Sequence, residues 1–163
     1  MSVFKTTFSR ALSVIPTDNA NVPYPAQSAS GTNTSVTVAS LVDSTATFVT
    51  KNVATGDIVY NTTDGTAATV LVVVNQTTLL LNADIFTATA KAYVVYTASP
   101  QTSNGNQGCY LYVGGAGNVR VTTIGQDIIT FTAVPVGTVL PVQVVKVHSV
   151  GSGTTATLIN ALW

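Results

Sequence analysis

Short apolar runs cut by glycine-rich turns fill the last third of this chain, residues 109–163, and none is long enough to make a helix of ordinary length. That texture excludes most folds and predicts a small β sandwich or barrel. Residues 110–113 and 119–123 alternate apolar and polar side chains, the period of a half-buried strand. Gly114, Gly115, Gly117 and Asn118 lie between them and tolerate positive φ, which predicts a hairpin there. A strand is expected at 128–131, then a turn at Val134-Pro135-Val136-Gly137. A long run over 139–147 ends at Gly151-Ser152-Gly153, before a closing segment at 156–163.

Composition points the same way for the whole chain. Glutamate is absent and threonine, valine and alanine dominate; helix formers are scarce and strand formers abundant, which predicts an all-β protein. Charged residues make up only 7% with a formal net charge of zero, so colloidal repulsion is weak and the surface suits a chain packed into an assembly. Lys5, Arg10, Lys51, Lys91, Arg120 and Lys146 are scattered, so no nucleic-acid partner is expected, because phosphate neutralisation needs clustered cations. No apolar run approaches the roughly 18 residues that span a bilayer. Lys5 and Arg10 are not followed by the apolar stretch of a secretory signal, so no export is expected. Cys109 is the single cysteine, which excludes an intrachain disulfide.

In chain order, residues 1–34 read as an N-terminal arm and linker. Phe4, Phe8 and Leu12 are four apart and would line one side of a short helix. Pro16, Pro23 and Pro25 then force extended chain. So short a helix is marginal alone, which leaves three outcomes: docking on its own core, docking on a neighbouring subunit, or fraying. Deleting 1–27 is expected to leave the rest folded. Residues 28–34 are linker-like. A first β module is expected over 35–98, with Val36 and Val38 on one side of its first strand, strands at 58–60, 67–74 and 79–81, and a last one at 93–96. Residues 70–74 and 79–81 are apolar without alternation, so that hairpin is expected to be covered on both faces. Residues 99–108, without an apolar side chain, read as the linker to the second module at 109–163.

Catalytic and metal-binding constellations are not expected. His148 is the only histidine; without a Gly-x-Ser-x-Gly elbow, with Ser149 and Ser152 in a turn, it reads as a half-exposed strand-end side chain. Asp57, Asn61 and Asp64 do not have the spacing of a calcium loop, and turn hydrogen bonds account for them. No aspartate sits in an apolar run that would raise its pKa for glycoside cleavage. No cofactor is expected. The residues expected at an assembly interface are aromatic and aliphatic: Phe4, Phe8, Leu12, Tyr110, Tyr112, Leu162 and Trp163. Tyr110 and Tyr112 share a strand face and could instead stack on sugars. A terminal Trp163 should be buried, in its own module or across a subunit boundary.

The ordered landmarks LYVGGAG, VRVTT, ITF, AVPVGT, LPVQV, GTTAT and ALW within 109–163 resemble the head spike-base proteins of tailed phages and gene transfer agents. The resemblance implies a non-enzymatic virion structural protein on the capsid surface, made in the host cytoplasm. Its implied partners are the major capsid protein, its own copies as a pentamer or trimer, and a distal fibre protein. Two other readings stay open: a cement protein tiling the whole capsid, and a carbohydrate-binding adhesion module of a tail or fibre. Residues 35–98 form a middle module that the spike-base family does not carry.

Overall fold

The computed structural model describes residues 7–98 and 108–163. Phe4 and most of the expected linker, 99–107, lie outside the described residues. In chain order the strands are β1 (Ala11–Ser13), β2 (Gln27–Thr32), β3 (Ser40–Val42), β4 (Ile58–Asn61), β5 (Thr66–Asn75), β6 (Thr78–Leu81), β7 (Ala92–Tyr96), β8 (Cys109–Gly115), β9 (Gly117–Thr123), β10 (Ile128–Val134), β11 (Thr138–Val147) and β12 (Thr157–Leu162). They form two antiparallel six-stranded sheets, ordered β1-β12-β8-β11-β9-β10 and β2-β7-β4-β5-β6-β3. The protein is all-β, with a separate core for each sheet. One 3-10 turn, Val150–Ser152, is the only helical element among the described residues.

The middle of the second sheet follows from its sequence. In β4 all four residues are buried, and alternation sends Val59 into the module core and Ile58 and Tyr60 to the opposite face. β5 splits Ala68 from Ala67 in the same way. Phe48, Phe86 and Tyr93 fill the core's centre. The full coverage expected for the β5–β6 hairpin is not found. Val70, Leu79 and Leu81 point inward, while Leu71, Val72, Val74 and Leu80 are about half exposed. Register shifts on either side of the Val72–Val73 pairs break the inward alternation of β5.

The N-terminal segment is woven in rather than free. Phe8 and Leu12 do not share a helix: Leu12 lies in β1, whose residues pair Ala11 with Leu162 and Ser13 with Asn160 of β12. A sheet ladder supplies backbone partners to a stretch too short for a stable helix. From there the chain runs between the two sheets. Val14 and Val22 are buried in the core of the first sheet. Leu12, Ile15 and Ala20 instead cover Ile58, Tyr60 and Ala67 on the back of the second. Thr17 and Val22 donate backbone bonds to Val147 and Val145 at 2.9 and 2.8 Å. The Asn19 carbonyl accepts from Thr69 Oγ1 at 2.9 Å and Asn82 Nδ2 at 2.6 Å.

Three more expectations are corrected. The stretch read as linker at 28–34 is mostly β2, paired with β7 from Gln27↔Tyr96 to Thr32↔Ala92; its polar residues suit an edge strand. The strand expected at 35–41 shrinks to β3, and Val36 and Val38 are exposed, with Ala39 at φ 49° breaking the alternation. The hairpin expected between β8 and β9 does not form, because β11 runs between them. Its first half pairs with β8, its last residues pair with β9, and Val144 pairs with both Cys109 and Thr123. The shift falls after Leu140, where Pro141 cannot donate a ladder bond. The glycines serve close approach: a side chain on Gly117, at φ 154°, would strike the backbone of Thr155 and Ala156.

Candidate functional site

Four of the expected interface residues gather at one corner of the first sheet. Leu162 is the cross-strand neighbour of Tyr110, and Phe8 stacks at a tilt on the Tyr110 ring, centroids 5.7 Å apart. Trp163 packs against the core and meets the edge of Tyr24 at 5.5 Å. Its carbonyl accepts from the amides of Ser9 at 2.6 Å and Arg10 at 3.2 Å. The Arg10 guanidinium lies 5.2 Å from the Tyr24 ring centre, within reach of a cation–π attraction. Arg10 and Tyr24 were not legible as members; only the fold brings them to Trp163. Leu12 does not join this corner, because it faces the second sheet. Tyr112 shares the outer face with Tyr110 but lies two residues further along β8, opposite Val139 and Asn160. Trp163 is thus half-buried within its own module.

A polar cluster lies where the N-terminal segment meets the end of β11. Asp18 Oδ1 is 2.8 Å from His148 Nδ1, and Asp18 Oδ2 accepts from Ser149 Oγ at 2.5 Å and Ser152 Oγ at 2.7 Å. Hydrogen bonds from Ser149 and Ser152, with a lesser one from His148, hold the Asp18 carboxyl far below the usual carboxylate range against the opposing cost of burial. An ionised Asp18 keeps a proton on Nδ1, and His148 Nε2 lies 2.9 Å from Thr122 Oγ1. A cleft of about 390 Å³ lined by Asn21, Thr122, Ile124, Gln126, Lys146 and His148 opens beside it.

The donor order is that of an acid–base–hydroxyl relay. Its setting is inverted. In such a relay the acid is buried; here the Asp18 side chain is 42% exposed and the His148 ring 13%. The cluster works as a clasp: three side chains and a carbonyl-bound lysine, Lys146 Nζ to Asp18 O at 3.2 Å, fix the segment around Asp18. His148 is more enclosed than its strand-end position suggested, and the residue that encloses it is 130 positions away.

The other acids have local jobs. Asp57 accepts from the amides of Ala54 and Ala98 at 3.0 Å each. Asn61 Oδ1 accepts from Thr63 and Asp64 amides, closing the turn before β5. Asp64 pairs with Lys91 at 2.8 Å. Asp43 is buried; burial alone would raise its pKa, but bonds from Tyr93 Oη at 2.7 Å and from Thr45 outweigh it and leave the carboxyl below its usual range. No group of three His, Cys, Asp or Glu that could hold a metal occurs among the described residues.

In comparisons with family models, characterised proteins and solved structures, nothing matches this chain.

Proposed function

We propose that this chain is a non-enzymatic structural protein of a virion, held on the capsid surface as a spike base or decoration protein by non-covalent contacts. Its partners in this reading are the major capsid protein and its own copies, with a distal fibre protein as the further partner that the spike-base resemblance of 109–163 implies. The observation that carries the assembly part is the apolar outer surface of both sheets. Leu71, Val72, Val74 and Leu80 on the second, and Ile128, Val139 and Leu158 on the first, are all more than one-third exposed. Antiparallel sheets that face water on one side normally carry polar residues there, and contiguous exposed apolar surface marks interaction sites. So little charge leaves the surface few means of staying apart from partners.

The test is composition of purified particles of the virus that encodes the chain. The chain is expected in them, and recombinant protein is expected to bind particles lacking it. A few tens of copies per particle would mean vertices and several hundred would mean tiling. Absence from the particles, with no binding of added protein, overturns the reading.

A further inference from the structure

We infer that β10 is a copy-to-copy contact, pairing antiparallel with β10 of a second copy of this chain about a two-fold axis at Thr130, so that the two first sheets run on as one. This deepens the assembly reading and rests on it.

The edges of the two sheets differ in one respect. β1 and β3 are three residues long, and β2 is the polar run Gln27–Thr32. β10 has seven residues, Ile128–Val134, with the sequence IITFTAV. A long, apolar, uncharged edge presents a row of unpaired backbone groups, and stable monomers blunt such edges with lysine, proline, bulges or extreme shortness. Ile128 through Val134 contains no charge and no proline. Its register shift lies between Phe131 and Val134, with Ala133 at φ 50°, which leaves the first four residues as a regular free edge.

The side chains on that edge belong to an unfinished core. Ile129 and Phe131 pair with Val121 and Val119 of β9, both fully buried, so they lie on the sheet's inner face. Phe131 packs on the core. Ile129 extends past the rim and is 46% exposed; Ile128, on the outer face, is 58% exposed. A two-fold axis perpendicular to the sheet at Thr130 keeps inner faces together. It sets Ile129 opposite the second copy's Phe131, twice, and Thr130 opposite its own counterpart. Aromatic–β-branched and Thr–Thr pairs are both favourable across strands. The inner apolar layer then continues from one protomer into the next.

Charge agrees with a second copy as the occupant. The ionised groups near the axis are Arg120, the cross-strand neighbour of Thr130 on β9, whose guanidinium donates to Ser152 O at 2.8 Å, and Asp127, which this register places opposite Ala133 of the other chain. The two Asp127 side chains are then six residues apart along the ladder, about 20 Å at roughly 3.4 Å per residue, beyond a screening length of about 8–10 Å. The two Arg120 positions lie three strand spacings apart, about 14 Å at roughly 4.8 Å each, also beyond that length, so self-pairing brings no like charges together. A two-fold contact joins protomers in pairs, which fits bridging units over a surface better than a single five-membered ring.

The test is crosslinking of the full chain. In either kind of antiparallel pair, opposed Cα atoms lie about 4.5 or 5.5 Å apart, inside the span a disulfide bridges. Thr130→Cys is expected to give a covalent dimer of twice 16.8 kDa as the main product under mild oxidation. Thr132→Cys, which faces Ile128 of the other copy, is expected to give almost none. Native Cys109 is buried and does not compete. Ile129→Lys, at a residue 46% exposed, is expected to weaken self-association at least tenfold by sedimentation, with circular dichroism unchanged. The proposal is overturned if Thr130→Cys stays uncrosslinked, if Thr132→Cys links equally well, or if Ile129→Lys leaves association unchanged. Particle binding reads out separately: crosslinking without it refutes the virion reading alone, and particle binding without crosslinking refutes the edge contact alone.

Discussion

Deleting residues 1–26 should unfold the first sheet, the reverse of what an arm would do. The deletion removes Val14 and Val22 from its core, each worth about 1.5–3 kcal/mol when fully buried. Leu12 and Ile15, removed with them, cover the second sheet and stay outside this sum. The loss to the first sheet is about 3–6 kcal/mol before the β1–β12 ladder is considered, and a whole domain is stable by only about 5–15 kcal/mol. Trp163 is the sole tryptophan and packs on that core, so its fluorescence follows the first sheet during urea unfolding. With a mid-range slope of about 2 kcal/mol per molar urea, the midpoint should fall by roughly 1.5–3 M, or the transition should vanish. The second sheet keeps its own core of Phe48, Phe86 and Tyr93, so part of the β circular dichroism should survive. A truncated chain whose tryptophan midpoint stays within about 0.5 M of the intact protein would refute the reasoning.

Two smaller perturbations probe the polar groups. Asp18 has a depressed folded-state pKa, so its contribution is fully present above the unfolded carboxylate value of about 3.9 and is lost as pH falls through the lower folded value. Asp18→Asn should therefore flatten the fall in stability between about pH 4 and pH 2, by no more than about 1 kcal/mol for so exposed a group; urea midpoints at several pH values decide it, and unchanged pH slopes would refute the clasp. Tyr93→Phe leaves buried Asp43 Oδ2 without its 2.7 Å donor and should cost about 1–3 kcal/mol, measured as a lowered thermal midpoint.

What could be read from the sequence was what depends on short-range pattern. Ile58–Asn61, Thr66–Asn75, Ala92–Tyr96 and Thr138–Val147 are strands because apolar, β-branched side chains recur there within a few residues. β1 and β2 were missed because their strand character comes from partners: β12, about 150 residues away, for β1, and β7 for the polar β2. The glycines between β8 and β9 read as a turn because local φ freedom is visible in sequence, while the insertion of β11 is not. The gathering of Phe8, Tyr110, Leu162 and Trp163 followed only partly from pattern, since Arg10 and Tyr24 carry no local mark. The clasp left almost no trace. Asp18 and His148 come together across the length of the chain, and the spacing of Ser149 and Ser152 from His148 was the one available hint.

The pairing of β1 with β12 also sets a timetable for biosynthesis. Leu162, the ladder partner of Ala11, emerges from the ribosome about 150 residues after it. At about 5–20 residues per second that is a wait of roughly 8–30 s. The second sheet can close once Tyr96 is out, since β2 through β7 are then all present. The threaded segment, with Val14 and Val22 unburied, must stay exposed until the last strand arrives. The first sheet is therefore closed by its latest-made strand, well after the second sheet has formed.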